Sequence, residues 1–156
     1  MTTTKTLNAT ASALISAYNA WDLDAILSDS WRSPSCIHQI LPLSLGQPAM
    51  DNTFYRHYLR TFMSTFRNLT VTVKDTIVDE KQRRVLMWAS SKAETDIGPY
   101  ANEYALILKC DEDGRVVWVG EFLDSQYTIA FFIKLREHMA SKSKEDRAGF
   151  ENNNVL

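Results

Sequence analysis

The chain has 156 residues, a formal net charge of -2 at neutral pH, 45% hydrophobic residues and 23% charged residues. A chain of this length reads as one domain that buries roughly two-thirds of its unfolded surface, and its composition excludes intrinsic disorder. The small net charge argues against a nucleic-acid or anionic-membrane partner, which calls for a Lys/Arg excess. No apolar run approaches the ~18 residues of a membrane span, and the opening Met1-Thr2-Thr3-Thr4-Lys5-Thr6 lacks the apolar core of a signal peptide. The expected location is the cytoplasm, with Cys36 and Cys110 as reduced, buried fillers.

Leu7, Ala11, Leu14, Ile15, Tyr18 and Trp21 recur at helical spacing and predict an amphipathic helix over residues 4–20. A second, short helix starts at Asp22, a cap residue. Pro34 breaks the pattern, and residues 36–41 form an extended apolar run that carries His38 and ends at Pro42. Asp51 or Asn52 caps a third helix. Its apolar stripe of Phe54, Tyr55, Tyr58, Leu59, Phe62, Met63 and Phe66 leaves Arg56, His57, Arg60 and Ser64 on the other side.

The second half reads as strands. Leu69, Val71, Val73 and Ile77 alternate with polar residues, and further strands are expected over residues 83–95, 102–110 and 115–124. The turn Asp111-Glu112-Asp113-Gly114 joins the last two as a hairpin. A closing helix covers residues 125–139. Residues 1–140 therefore form one α+β domain, a curved antiparallel sheet wrapped around the N-terminal helices as a cone with an internal cavity. Residues 141–156 form a polar C-terminal tail. On the 83–95 strand both faces are apolar, with Leu86 and Trp88 against Val85, Met87 and Ala89, so the outer face is expected to be covered by a second copy in a homodimer.

Two segments carry a resemblance. Tyr18-Asn19-Ala20-Trp21-Asp22-Leu23-Asp24-Ala25-Ile26 resembles a helix junction of the nuclear transport factor 2-like superfamily. The run from Asp113 through Glu121-Phe122-Leu123-Asp124-Ser125 is similar to the last strand of its SnoaL-like cyclases and isomerases, which ends in one Asp. More narrowly, His38-Gln39-Ile40-Leu41-Pro42 and the segment from Glu94 to Tyr104 look like the fungal enzymes that rearrange rings in austinol- and terretonin-type meroterpenoid pathways. The resemblance implies a homodimeric, cofactor-free isomerase or cyclase that forms lactones by retro-Claisen-type chemistry on a polycyclic terpenoid.

The residues themselves offer no G-x-S-x-G elbow, H-E-x-x-H, paired-Cys motif or Gly-rich phosphate loop, and His38, His57 and His138 do not suggest a metal site. Acid–base chemistry without a cofactor remains, and it needs a carboxylate or imidazole in a dry cavity. The catalytic candidates are Asp124 and His38. Asp124 shares a strand face with Val116, Trp118, Gly120 and Phe122, the bulky face expected to point at the helices, and it also suits a cap for the last helix. His38 suits general acid–base work near neutral pH, against a structural role on an apolar strand.

Expected substrate contacts are Tyr55, Phe62, Met63, Asp96, Tyr100, Asn102 and Phe122. Glu103 and Glu121 fall on the opposite faces unless a bulge re-aims them. A dehydratase or hydrolase of a smaller polyketide, and a non-catalytic ligand-binding or adaptor module, are the alternatives. A cavity of a few hundred cubic ångströms distinguishes the enzyme from the adaptor.

Overall fold

A computed structural model describes residues 1–153. Helix α1, Thr4–Ala20, buries Leu7, Ala11, Leu14 and Ala17, one stripe along its length. The Thr3 side chain caps its start, and Trp21 ends it in the left-handed region. Helix α2, Leu23–Ile26, begins where Asp22 accepts from the Asp24 and Ala25 amides. Strand β1, Arg32–Leu41, leads to helix α3, Asn52–Arg60, which the Asp51 side chain caps.

The apolar stripe predicted through Phe66 does not stay helical. The Thr61 and Thr65 hydroxyls donate back to the carbonyls of Tyr58 and Phe62, the chain tightens into a single turn over Met63–Thr65, and Phe66 opens strand β2.

Strands β2 (Phe66–Asp79), β3 (Arg84–Thr95), β4 (Gly98–Cys110) and β5 (Val116–Leu123) follow. The sheet order is β1-β5-β4-β3-β2, with β1 parallel to β5 and the other pairs antiparallel. It is curved and unclosed, and its concave face holds α1 and α3 through a core that includes Leu7, Leu14, Ile26, Leu59, Val85, Met87, Leu108 and Val119. In the β4–β5 turn, Gly114 takes φ +83° and lies against Thr6 of α1, where a Cβ would meet the Thr6 methyl at 2.5 Å.

One extra residue near the start of β5 decides which side chains enter the cone. The register shifts from Cys110↔Val116 to Lys109↔Trp118, so Val116 and Val119 both point inward. Beyond that bulge the expected faces are exchanged. Glu121 and Leu123 line the interior, while Trp118 lies across Gly120 on the outer surface and Phe122 is 47% exposed. Bulk alone favours Trp118 and Phe122 inward, but this sheet is apolar on both faces.

Helix α4 runs from Ser125 to Asn153 without a break at Met139. No Pro or Gly interrupts residues 139–148, Ser141 bonds back to the Glu137 carbonyl, and Lys142 stands 3.9 Å from Asp96. Residues 141–148 are thus an exposed helical continuation. Residues 154–156, the end of the polar tail expected from sequence, lie outside the described residues.

Candidate active site

Tyr18 of α1, His38 and Ile40 of β1, Tyr55, Tyr58 and Leu59 of α3, Tyr104 of β4, Glu121 of β5 and Phe132 of α4 surround a cavity of about 680 Å³. Its walls are mainly aliphatic and aromatic, and two hydrogen-bonded clusters of polar side chains stand among them.

The first cluster centres on His38, 1% exposed, whose Nε2 lies 2.8 Å from Glu121 Oε2. The imidazole stacks on the Tyr55 ring, with centroids 3.9 Å apart and planes 11° from parallel. Tyr55 shares a hydrogen bond of 2.5 Å with the Tyr18 hydroxyl. Burial holds the His38 pKa below its ordinary value, against the pull of Glu121, and the nearby Arg32 charge lowers it further. The neutral ring donates Nε2–H to the carboxylate. Burial also pushes the Tyr18 and Tyr55 phenols up, so both are neutral.

Arg32 is fully buried behind this cluster. Its guanidinium carbon lies 5.4 Å from the Tyr55 ring centroid, and Nε donates to Asn52 Oδ1 at 2.7 Å. Its terminal nitrogens have no hydrogen-bond partner among the described residues.

The second cluster is a chain of side chains on β3 and β4. Asn102 Nδ2 donates to the Tyr100 hydroxyl, Tyr100 is bonded to Tyr104, and Tyr104 to Ser91, each at 2.9 Å. Asn102 Nδ2 also donates to Thr128 of α4.

Of the residues singled out from sequence, the structure brings His38, Tyr55, Phe62 and Tyr100 to the cavity, with Asn102 behind Tyr100. Asp124 is not with them. It is exposed, and its Oδ1 accepts from the Tyr127 amide at the start of α4, the cap geometry. Met63 packs beside the core, its carbonyl accepting from Trp21 Nε1, and does not line the cavity. Phe122 faces outward because of the bulge. Asp96 sits in the β3–β4 turn beside a separate open cleft with His138 and Lys142, held by Arg67 at 2.6 Å, which keeps its carboxyl below the usual range.

Sequence reasoning missed Tyr18, Tyr104, Ser91 and Arg32 as site groups, and it left Glu121 outward unless a bulge re-aimed it. Tyr104 and Ser91 share inward parity with Asn102 and Ala89 and were open to that argument.

No protein-family model matches the chain. Austinoid biosynthesis cluster protein F of Aspergillus calidoustus is 38% identical over 129 residues, covering 80% of this chain and 72% of that protein. Among solved structures, BvnE pinacolase from Penicillium brevicompactum superposes with a TM-score of 0.80 at 30% identity, over 88% of this chain and 97% of its own. AusH from Aspergillus nidulans gives 0.74 at 28% identity, over 80% and 88%.

The fold, and the relatives that share it, thus define a SnoaL-like enzyme of the nuclear transport factor 2-like superfamily. The chain belongs to that family together with the fungal austinoid cluster proteins, and it is an isomerase/cyclase of secondary metabolism.

Proposed function

We propose that the protein carries out a cofactor-free, acid–base ring rearrangement of a polycyclic fungal meroterpenoid, with Glu121 as the proton acceptor and His38 as the residue that holds it. The observation that carries this reading is the His38–Glu121 pair in the wall of a largely apolar cavity of about 680 Å³. Such a volume accepts a fused-ring terpenoid and excludes most of its water. Glu121 Oε2 is engaged by His38, and Oε1 has no hydrogen-bond partner among the described residues. That oxygen is available to a substrate proton.

On a substrate with a hydroxyl near a β-dicarbonyl, Glu121 takes the hydroxyl proton and the alkoxide oxygen adds to one ketone carbon. The bond from that carbon to the central carbon then breaks, and its electron pair becomes the enolate of the second carbonyl. The enolate carbon recovers the proton from Glu121, and the new C–O bond closes a lactone. Substrate and product have the same composition. Phe62, Tyr55 and Tyr100 form the walls against which the rings pack, and Asn102 orients Tyr100. Met63, Asp96 and Phe122 have no part in this reading, since none lines the cavity.

The enzyme works as a homodimer joined through the outer sheet face, where Trp88 is 47% exposed and Leu86, Ile77 and Phe122 are uncovered.

Mass spectrometry of a polycyclic β-dicarbonyl meroterpenoid incubated with the protein tests the reaction class. The expected product has an unchanged mass and a new retention time. Loss or gain of one water would instead identify a dehydratase or hydrolase, and saturable binding without a product would identify a binding module.

A further inference from the structure

Glu103 N–H donates to Asn102 Oδ1 at 2.8 Å, which fixes the amide so that its nitrogen faces Tyr100 and Thr128. Tyr100 therefore accepts from Asn102 and cannot place its own proton there. Beyond Asn102 the chain holds three hydroxyl protons, those of Tyr100, Tyr104 and Ser91, but only two hydroxyl–hydroxyl links. Whichever way the chain is oriented, one O–H is left over. No other acceptor is bonded to these three oxygens among the described residues, and all three residues line the cavity.

From this surplus we infer that Ser91, Tyr100 and Tyr104 form a neutral hydrogen-bond donor subsite that takes a carbonyl or enolate oxygen of the ligand. This deepens the proposed function, since it names the group by which a substrate is held while Glu121 acts on it.

Burial pushes the Tyr104 phenol well up and the Tyr100 phenol to about 12, so both keep their protons at working pH. A neutral donor suits an oxygen that gains charge as an enolate forms. Asn102, donating into the chain, polarises every hydroxyl after it. The subsite lies within one molecule's reach of Glu121. Leu106 pairs with Glu121 and Tyr104 with Leu123, so Tyr104 is the diagonal inward neighbour of Glu121, about 7–8 Å away on an antiparallel pair.

The test uses 9-fluorenone, a rigid tricyclic ketone, and fluorene, the same skeleton without the oxygen. The carbonyl stretch of fluorenone bound to the wild-type protein is expected below its frequency in dry ether, and the shift is expected to persist in Glu121→Gln. Any one of Ser91→Ala, Tyr100→Phe or Tyr104→Phe still leaves an unlinked hydroxyl and retains most of the shift. The triple variant abolishes it and weakens fluorenone binding about 2- to 10-fold, the worth of one neutral hydrogen bond. Fluorene binds both proteins equally, which also reports that the triple variant is folded.

An unshifted carbonyl in the wild-type protein overturns the inference without recourse to any variant. So does a shift that survives the triple substitution, which would locate the donor elsewhere, such as Tyr58. A shift without turnover of any β-dicarbonyl would leave the subsite standing and sink the proposed reaction. Turnover without a shift would do the reverse.

Discussion

His38 and Glu121 meet across the parallel pair β1–β5 although they are not partners in its register. His38 stands opposite Val119 and Glu121 opposite Ile40, and the 2.8 Å bond closes the diagonal between them. It exists only because the β5 bulge turns Glu121 inward. A partly exposed carboxylate is thereby tied to an imidazole that water does not reach, with the Tyr55 ring stacked against that imidazole.

The first prediction concerns pH. The folded-state pKa of His38 lies below its ordinary 6.5. As pH falls through that ordinary value the unfolded chain binds a proton that the native protein refuses. Its contribution to stability is therefore complete above about pH 6.5 and is lost below it, at up to about 1.4 kcal/mol per pH unit. Urea melts of the wild type between about pH 5 and pH 8 should show this slope, and His38→Gln should remove it. Equal slopes in the two proteins would assign it to other groups.

Arg32→Met is expected to raise the His38 pKa, because it removes the buried positive charge that disfavours a second one nearby. It should not destroy the fold. Methionine fills much of the same volume, and the lost charge had no carboxylate hydrogen-bonded to it among the described residues. Imidazole NMR titration of the two proteins reads the shift, and an unchanged or lower pKa would contradict it.

How much of this was legible follows from how local each signal is. The span of α1 was readable because its apolar stripe lies within one segment. His38 could be nominated because it interrupts an apolar strand. Glu121 could be named only conditionally, since its orientation depends on one inserted residue that strict alternation cannot register. Arg32 gave no signal at all, as its burial is created by α3 and Asn52, twenty residues away. The length of α4 was underestimated because a charged segment was equated with a missing helix, whereas Ser, Lys and Glu are compatible with one.

Asp124 acts through the helix that it caps. Asp124→Ala should cost about 1 kcal/mol of stability, while Asp124→Asn, which can still accept from the Tyr127 amide, should cost only a few tenths. Chemical denaturation of the two variants measures the difference. Equal losses would mean that the carboxylate charge, not the cap, is what matters.

Trp88→Lys combined with Phe122→Lys should convert the proposed homodimer to a monomer, because both side chains lie on the uncovered outer face. Multi-angle light scattering at micromolar concentration reads the mass, and circular dichroism shows that the fold persists. A wild-type protein that is already monomeric would contradict the proposal outright.

Turnover of one meroterpenoid substrate by Glu121→Gln and Asp124→Asn, measured side by side, tests the central claim most directly. Glutamine keeps the size of the side chain and can still be reached by His38, but it cannot take a proton. The account predicts that Glu121→Gln lowers kcat by ~10²-fold or more with an unchanged melting curve, while Asp124→Asn stays within about twofold of wild type, as an exposed cap should. The reverse order of losses would contradict it, returning catalysis to Asp124 and leaving the His38–Glu121 bond a structural one.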